Sequence, residues 1–578
     1  MIYQTLYPPL PILPDTNYYD FLFSRPEVAQ WPDYTVYMDG ITGERWMYRE
    51  FVRRVDNGAG ALAGSLGIRM EDNGMVGVLS ENCLDYATIC CSLLKIAVPY
   101  VLFPAFATPT EINALFKLTK VSHLFVSPKL LSMAQTAAQS IGLPQDKIYL
   151  LHGRVGHMPT FSSMIDHARA NRVRVNTHPI RSDTLAYIVF SSGTSGLPKG
   201  VMISHRNLGC SALQPALQML EMEKVAAPPQ LKTSEGIPIG IGLAPMYHAM
   251  GFHFYVLRHL LAPATCIIIP RWDTNLVLEL IPKHTVTNLF LVPAHVHQLV
   301  NSDKFAKLDL SSLVNVGAGA AYLPVDLRER FTARMNIDCP DLAIRTLFVL
   351  MPTLGYGMSE CTVSAIFASY PGSLGGRVDY IPGMTGVLLP GMEARILREN
   401  GTDAAIGEPG ELILRGPNVG LGYWNNERAT KDTFLPDGWL RTGDRFRADD
   451  AGRFFYIDRI KDTLKVSGSQ VSPSEIEVEI IEHPGGLITD VAVAGVPGSR
   501  MLDEKVPRAW IVLSEKGYKL GRQAVARELD AWVRERLSSP KWVRGGFEVV
   551  REIPKSPTGK VLRRKLQEGG MYSSQAKL

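Results

Sequence analysis

The alternation of strand-like and helix-like segments is the feature that most limits how this chain can fold. Within residues 40–180, an apolar run at 76–80 is followed by a helical pattern at 83–95 and by a second apolar run at 99–103. Strands that alternate with helices are joined by crossovers and pair in parallel. Similar runs return at 267–269, 289–292 and 313–316. We therefore predict an α/β fold built on parallel sheets.

The pattern changes after residue 386. Short strand-like runs separated by turn residues, such as 411–415 and the two runs on either side of 449–452, predict antiparallel hairpins. A small α/β unit follows, with predicted strands at 490–495 and 508–513 and a predicted helix at 523–537. A chain of 578 residues is too long for one core. We place the boundary at 459–462, which gives domains 1–460 and 461–578.

Composition argues against several classes of protein. The 60 Lys and Arg residues exceed the 56 Asp and Glu residues by only 4, so the concentrated positive charge of a nucleic-acid-binding protein is not expected. Seven cysteines follow no metal or disulfide spacing, which favours a reducing compartment. The uncharged segment 236–257 is long enough to span a membrane, but its prolines and histidines interrupt it, so we predict a strand, loop and helix instead.

A loop rich in glycine and hydroxyl residues directly follows the apolar run 185–190. Residues 191–200 read Ser-Ser-Gly-Thr-Ser-Gly-Leu-Pro-Lys-Gly. Glycine lets the backbone approach a ligand closely, so the N–H groups of such a loop can converge on phosphate oxygens, and Lys199 adds a positive charge. The spacing differs from that of the common P-loop. We favour phosphate binding over an ordinary surface turn.

Four further motifs lie downstream, at 356–360 (Tyr-Gly-Met-Ser-Glu), 441–444 (Arg-Thr-Gly-Asp), 458–462 (Asp-Arg-Ile-Lys-Asp) and 554–560 (Pro-Lys-Ser-Pro-Thr-Gly-Lys). With the loop, and in this order, they resemble the adenylate-forming acyl-CoA ligase family, most closely 4-coumarate–CoA ligase and beetle luciferase. The resemblance spans roughly residues 50–566. It implies a large N-terminal domain of α/β subdomains plus a small β-barrel, followed by a mobile, small α+β C-terminal domain.

The resemblance also implies a site for ATP and for the AMP formed from it. Its residues would be Ser191, Ser192, Gly193, Thr194, Ser195, Gly196, Lys199, Gly319, Ala320, Ala321, Tyr356, Ser359, Asp444, Arg459 and Lys560. In the family the aromatic residue packs on adenine, and the hydroxyl of the matching serine meets the α-phosphate. Asp444, helped by Arg459, would accept hydrogen bonds from the ribose hydroxyls, as carboxylates do in dinucleotide sites. Glu360 and Thr194 would hold Mg²⁺.

Several other positions match family residues that act on the acyl group. A lone histidine among apolar residues is more often part of a core, but the resemblance places His248 beside the acyl carboxylate and the phosphate. Lys560 would bridge these two groups during adenylation. Lys465 and Gln470 belong to the segment that replaces it after rotation at the hinge, Lys461. The acyl pocket would include Met250, Phe254, His295 and Gly317, which suit an aromatic or medium-chain tail.

The function implied is an acid–CoA ligase that uses ATP, Mg²⁺ and coenzyme A. Transfer to a carrier-protein thiol and luciferase-type oxidation are alternatives within enzymes. A non-catalytic nucleotide-binding relative is a third, although the presence of Lys199, Glu360, Asp444 and Lys560 argues against it. The absence of a carrier domain after the motifs favours free CoA. An apolar stretch at 346–353 and Leu354 depart from the family pattern.

The C-terminal tripeptide predicts a peroxisomal protein. Ala576-Lys577-Leu578 differs from the Ser-Lys-Leu address by one small residue, and an import receptor reads such an address when the tail is accessible. Deleting the tripeptide should move an N-terminally tagged protein from peroxisomes to the cytosol without changing its activity, because no catalytic motif includes the tail. Microscopy beside a peroxisomal marker tests this. A cytosolic location for both versions would support the alternative, a cytoplasmic protein.

Overall fold

The computed structural model describes residues 1–72, 74–191, 198–227, 230–318, 325–334, 355–379, 381, 383–460, 462, 464–466, 469–497, 505–556 and 561–568. No helix within these ranges is long and apolar enough to cross a membrane. The uncharged segment 236–257 contains the strand Ile239–Gly242, the helix Ala249–Phe252 and the π-helix His253–Leu257. The prediction of a strand, loop and helix there is confirmed.

The strands predicted at 76–80 and 99–103 both lie in one seven-stranded sheet, and the predicted helix connects them along the chain. The strands of this sheet lie in the spatial order Gly422–Tyr423, Lys199–Ser204, Leu185–Ser191, Tyr100–Phe103, Val76–Leu79, His123–Val126 and Ile148–Leu150. The last five are parallel, and the first two pair antiparallel with their neighbours. The helix Leu84–Lys95, predicted at 83–95, is buried along almost its whole length. Apolar residues all around a helix fit such a position between packed layers.

A six-stranded sheet forms the second α/β layer. Its spatial order is Asn315–Ala318, Asn288–Leu291, Ile239–Gly242, Thr265–Ile268, Thr35–Asp39 and Arg45–Met47. All neighbours are parallel except the last pair. The strands predicted at 267–269 and 289–292 are present, and the one predicted at 313–316 begins two residues later. The apolar runs of these strands are continuous because both faces of a parallel sheet are covered.

Helices cover both α/β sheets. They are Tyr18–Phe23, Tyr48–Gly60, Leu84–Lys95, Pro109–Thr119, Leu131–Gln139, Phe161–Ala170, His205–Glu223, Ala249–Phe252, Thr274–Lys283, Pro293–Val300 and Val325–Arg334. The helix His205–Glu223 directly follows the strand Lys199–Ser204. Ser204 caps it, because its side chain accepts a hydrogen bond from the backbone N–H of Asn207. This cap fixes where the chain turns back after the glycine-rich loop.

Between residue 386 and the predicted domain boundary the paired strands are antiparallel, as predicted. A five-stranded sheet has the order Tyr3–Gln4, Glu393–Leu397, Gly410–Arg415, Trp439–Ala448 and Phe454–Arg459. A three-stranded sheet has the order Gly355–Tyr356, Ile366–Phe367 and Val387–Leu388. A single bridge between Gly386 and Phe454 joins the two sheets. The helix Glu427–Thr433 lies between two of these strands in the chain.

The C-terminal unit is a small α+β structure. Its strands are Leu464–Val466 paired with Ser469–Val471, and Ile488–Pro497, Lys505–Leu513 and Phe547–Val549 in a second sheet. Its helices are Pro473–Ile481, Glu515–Leu520, Arg522–Arg536 and Arg563–Gln567. The long helix was predicted at 523–537, and the strands were predicted at 490–495 and 508–513. Each prediction falls on an observed element.

The clusters of buried apolar residues divide into an N-terminal and a C-terminal group near the predicted domain boundary. Five clusters of buried apolar residues contain only residues before 460. The two remaining clusters contain only residues after 463. Burial of apolar surface is the main force that stabilises a folded unit. The boundary at 459–462 stays a prediction that this separation supports.

A chain ending at Ile460 should therefore be soluble and unfold cooperatively, because it keeps all five N-terminal clusters. The matched control ends at Gly452 and lacks the strand Phe454–Arg459, including the fully buried Phe454. Loss of one such side chain removes about 1.5–3 kcal/mol of burial energy, and the neighbouring strand Trp439–Ala448 becomes an unpaired edge. Calorimetry compares the two chains. Equal solubility and equal melting of both would contradict this boundary.

Candidate active site

The two strands beside the glycine-rich loop are antiparallel neighbours. Ser191 ends the strand Leu185–Ser191, and its register partner Lys199 begins the strand Lys199–Ser204. The connecting segment therefore starts and ends at the same end of this strand pair. Its predicted phosphate-binding residues Ser192, Gly193, Thr194, Ser195 and Gly196 lie outside the described residues. Phosphate binding by these residues stays a prediction.

A buried tyrosine links Lys199 to Glu360. Lys199 Nζ lies 4.6 Å from the centroid of the Tyr423 ring, within the range of a cation–π interaction. The Tyr423 hydroxyl donates a hydrogen bond of 2.9 Å to Glu360 Oε1. Burial raises the pKa of Tyr423, and the charge of Glu360 raises it further. The hydroxyl therefore stays protonated and holds the carboxylate in one orientation.

Asp444 lies between an aromatic hydroxyl and a guanidinium group. The Tyr356 hydroxyl donates a 2.6 Å hydrogen bond to Asp444 Oδ2, and Arg459 Nε lies 3.2 Å from Oδ1. Asp444 and Arg459 are register partners on neighbouring strands, so the sheet itself sets their distance. Burial, and then the charge of Asp444, raises the pKa of Tyr356 well above its usual value. The two fixed oxygens suit two adjacent hydroxyls of a ribose.

The loop that carries Glu360 has an unusual backbone. Thr362 and Val363 have φ values of +51° and +86°, and positive φ is a strained conformation for β-branched residues. A Cβ atom at Gly357 would lie 1.6 Å from the carbonyl oxygen of Val363, so only glycine fits. The fully buried Asn418 side chain donates to the carbonyl oxygens of Cys361 and Ser364 at 2.9 and 2.8 Å. These contacts hold Ser359 and Glu360 in place.

His248 caps the helix Ala249–Phe252. Its Nδ1 accepts a 3.4 Å hydrogen bond from the backbone N–H of Met250. The preceding turn is fixed by Asn82, whose Oδ1 accepts from the backbone N–H of Met246 at 2.7 Å. An accepting Nδ1 in a neutral ring leaves the proton on Nε2. His248 and Met250 are both half-buried, so a ligand can still reach them.

Three of the four predicted acyl-pocket residues, Phe254, Gly317 and His295, lie in two aromatic groups. The Phe254 ring lies 5.8 Å from the Phe290 ring, and a Cβ at Gly317 would come within 2.9 Å of Phe290. Glycine at 317 therefore gives Phe290 the room it occupies on the neighbouring strand. His295 stacks on Trp272 with ring centroids 3.8 Å apart. Burial lowers the pKa of His295 to about 4, so this ring is neutral at neutral pH.

Lys465 and Gln470 lie directly opposite each other in the hairpin formed by Leu464–Val466 and Ser469–Val471. This register places the two predicted transfer residues at one point of the C-terminal unit. The remaining predicted residues Gly319, Ala320, Ala321, Lys461, Lys560, Ala576, Lys577 and Leu578 lie outside the described residues, as does the 346–353 stretch. Their roles stay predictions.

Three residues of this region were missed by the sequence argument. Tyr423 follows the short Gly-Leu-Gly run at 420–422, and Asn418 follows the Gly416-Pro417 turn, but neither pattern signals a buried polar contact. Phe290 lies in a strand that was predicted as ordinary core. Each of the three contacts a residue far away in the chain, so spacing alone could not identify them.

The described residues contain no cluster of three or more His, Cys, Asp or Glu side chains that could hold a metal ion. A magnesium ion at a nucleotide site usually needs only one or two carboxylates, because water and phosphate oxygens complete its octahedral coordination. Glu360 is 5% exposed and supplies such a carboxylate. The donor chemistry therefore fits Mg²⁺ bound together with a nucleotide.

Two family models match the chain. Residues 25–424 match the AMP-binding enzyme model, and residues 475–560 match the model of the AMP-binding enzyme C-terminal domain. The chain is 30% identical to 4-coumarate–CoA ligase-like 2 of Arabidopsis thaliana over 567 residues, which cover 96% of this chain and 91% of the relative. It is 27% identical to an acyl-CoA ligase of Alternaria alternata over 586 residues, covering 97% and 96%.

The fold is also similar to that of solved adenylate-forming enzymes. The crystal structure of an anthranilate CoA ligase in complex with anthranoyl-AMP superposes with a TM-score of 0.79 at 23% identity. The similarity covers 96% of this chain and 98% of that chain. At this level of identity the likeness confirms the predicted fold class, with a large N-terminal domain and a small C-terminal domain.

Replacing Asp444 by Asn should weaken ATP binding at least tenfold. The amide cannot accept two ribose hydroxyls as a carboxylate does, and hydrogen bonds to a charged group contribute about 1.5–3 kcal/mol each. Calorimetric titration measures the affinity. Asp449→Asn is the matched control, because Asp449 lies in the hairpin turn of the same sheet, where it accepts from Arg453. Equal weakening by both substitutions would contradict a ribose contact at Asp444.

Proposed function

The chain belongs to the AMP-binding enzyme family, and from this premise we propose that it is an ATP-dependent acid–CoA ligase. The observation that carries the proposal is the link from Lys199 through Tyr423 to Glu360, which lies beside the glycine-rich loop. It brings a cation and a carboxylate together where phosphate groups and their metal ion would lie. The names of the similar CoA ligases support the same class of reaction.

The first half-reaction joins the acid to the nucleotide. An oxygen of the substrate carboxylate attacks the α-phosphorus of ATP, the bond to the β-phosphate breaks, and pyrophosphate leaves with its electron pair. Negative charge accumulates at the α-phosphate, so fixed cations and N–H donors stabilise the transition state. Lys199 supplies charge at the start of its strand, and Asp444 holds the ribose. His248 would orient the two anions that must approach each other.

Mg²⁺ would be held by Glu360 and would neutralise phosphate charge during this step. The Tyr423 hydrogen bond keeps the Glu360 carboxylate in one orientation, which lowers the ordering cost of binding. Thr194 is the second proposed ligand. The protein therefore contributes the Glu360 carboxylate, which Tyr423 holds in a fixed orientation and links to Lys199.

The second half-reaction forms a carbon–sulfur bond. The CoA thiolate attacks the carbonyl carbon of the acyl-adenylate, and AMP leaves as the thioester forms. We assign Lys560 to the first step and the hairpin that carries Lys465 and Gln470 to the second. Lys465 and Gln470 lie opposite each other in the hairpin, which supports the proposal that they act together in the second half-reaction. Rotation about Lys461 would exchange Lys560 for the hairpin.

A two-stage assay tests this function. The wild-type protein should release pyrophosphate from ATP with at least one acid of an aromatic and medium-chain panel, and should form a thioester when CoA is added. Lys560→Ala should reduce pyrophosphate release by at least about 100-fold, because it removes a charge that acts only in the first transition state. The same variant should convert supplied acyl-adenylate to thioester at nearly the wild-type rate.

Lys565→Ala is the matched control, since Lys565 is an exposed lysine in the helix Arg563–Gln567. It should leave both stages unchanged. Equal loss of both stages in Lys560→Ala would contradict its assignment. Pyrophosphate release without any thioester on free CoA, but with transfer to a carrier-protein thiol, would favour the alternative acceptor.

A further inference from the structure

A stripe of partly accessible side chains continues from the proposed acyl pocket along one helical segment. Met250, Phe254 and Arg258 are four residues apart, and each keeps part of its surface exposed. Phe252 and Val256, on the other side of the segment, are fully buried. Residues four apart in a helix lie on one face. The segment changes from an α-helix to a π-helix at His253 and to a 3₁₀-helix at Arg258, so spacing alone does not place Arg258. Its Cζ lies 5.6 Å from the centroid of the Phe254 ring, and this contact puts Arg258 next to Phe254 of the proposed acyl pocket.

Among the described residues, the Arg258 guanidinium has no acidic partner. Its Nη2 donates a 2.8 Å hydrogen bond to Ser211 Oγ, and its Cζ lies 5.6 Å from the centroid of the Phe254 ring. Its Nε is buried and has no hydrogen-bond partner among the described residues. Within the part of the chain that the structure describes, no Asp or Glu forms an ion pair with it. A buried charge of this kind is costly unless something pairs with it.

The groups around Arg258 hold it without neutralising it. The Ser211 hydroxyl donates to the carbonyl oxygen of Thr362 at 3.2 Å and lies 3.4 Å from His253 Nδ1. The Tyr187 hydroxyl lies 2.8 Å from His253 Nε2. Burial lowers the pKa of His253 well below its usual value, and burial raises the pKa of Tyr187. Both rings are therefore neutral, and the network carries a single positive charge.

That charge persists at neutral pH. Burial lowers the pKa of Arg258 only to about 10. The network reaches the backbone of Thr362, two residues after Glu360, so the guanidinium is fixed relative to the reaction site. Packing alone does not require an arginine here, because apolar side chains of similar volume fill such sites at equal or lower cost.

We propose that Arg258 is a specificity-determining residue that receives a second, distal carboxylate of the acid substrate, so that the preferred substrates are dicarboxylic acids. This inference rests on the proposed acid–CoA ligase function. An anionic end group would supply the pairing partner that Arg258 lacks, and a guanidinium suits a carboxylate through two parallel hydrogen bonds. It adds a distal charged group to the aromatic or medium-chain tail that the sequence predicts.

The helical segment limits the length of such a substrate. Ten residues separate His248 from Arg258, on the order of 15 Å at the α-helical rise of about 1.5 Å per residue. The wider π-helix His253–Leu257 rises less per residue, so the actual separation is shorter. The two carboxylates of the substrate should then lie on the order of 10 Å apart. At about 1.2 Å per bond of an extended chain, that distance corresponds to about eight bonds.

Matched pairs of acids test the inference in the pyrophosphate assay. Hexanedioate, octanedioate and decanedioate are each compared with the monocarboxylate of the same chain length. The wild-type protein should favour the octane or decane diacid over its partner by about 100-fold in kcat/KM, because a site built for a polar group rejects the analogue without it. Preference for the monocarboxylate at every length would overturn the proposal.

Variants of Arg258 distinguish a role in substrate recognition from a role in stabilising the fold. Arg258→Met should lose about 100-fold in kcat/KM with the diacid and little or nothing with the monoacid, so the ratio between paired acids collapses. Arg258→Lys keeps the charge but not the planar fork and should give an intermediate ratio. Arg206→Met is the matched control at an exposed arginine and should keep the wild-type ratio.

Each outcome has a distinct meaning. An unchanged diacid-to-monoacid ratio in Arg258→Met, or equal losses with both acids, would show a structural role and overturn the proposal while leaving the ligase function intact. If Arg258→Met is insoluble, the wild-type and Arg258→Lys ratios decide. If none of the acids, including those of the aromatic panel, leads to pyrophosphate release, the proposed function is overturned and this inference with it.

Discussion

The hydrogen bond from the Tyr423 hydroxyl to Glu360 joins two parts of the protein that fold around different cores. Tyr423 lies on the edge strand of the seven-stranded sheet, whereas Glu360 lies in the loop between the first two strands of the three-stranded antiparallel sheet. The same ring lies against Lys199 at the end of the glycine-rich loop. One buried tyrosine therefore sets the separation between a cation and a carboxylate. Such preorganisation matters because charges fixed before the reaction need no reordering during it.

Strain in the backbone after Glu360 belongs to the same arrangement. Thr362 and Val363 adopt left-handed conformations that cost energy, and Asn418 compensates with hydrogen bonds to the neighbouring carbonyl groups. The carbonyl oxygen of Thr362 in turn accepts from Ser211, which holds Arg258. The strained turn thus connects the proposed metal ligand to the proposed distal end of the acyl pocket. A change in either pocket can shift this turn.

The proposed acyl pocket combines apolar walls with one charge. Phe254 and Phe290 are in contact across the helix and the strand, and glycine at 317 leaves room for the Phe290 ring. Arg258 lies beside the Phe254 ring. Apolar side chains followed by a cation would select molecules by both length and end group. Under the proposal for Arg258, this combination would separate dicarboxylic acids from the fatty or aromatic acids that the apolar residues alone would favour.

The sequence by itself determined the order of elements and predicted which residues would form the nucleotide site. Periodicity predicted the strands near 76–80 and 99–103 and the helix between them, because hydrophobic spacing reports which face of an element is buried. Motif residues such as Tyr356, Asp444 and Arg459 were predicted as site residues because the order of their motifs along the chain resembles that of a known family. The strand predicted at 313–316 was displaced by two residues, since apolar spacing marks the ends of elements poorly.

Only the tertiary structure decided which side chains meet. Asp444 contacts Tyr356 from 88 residues away, and Asn418 contacts Cys361 from 57 residues away. The pairing of Tyr423 with Glu360 and the lack of an acidic partner for Arg258 among the described residues have the same origin. Local spacing carries no information on such contacts, because they depend on how sheets and helices from distant parts of the chain pack together. Burial then decides which of these polar groups stay charged.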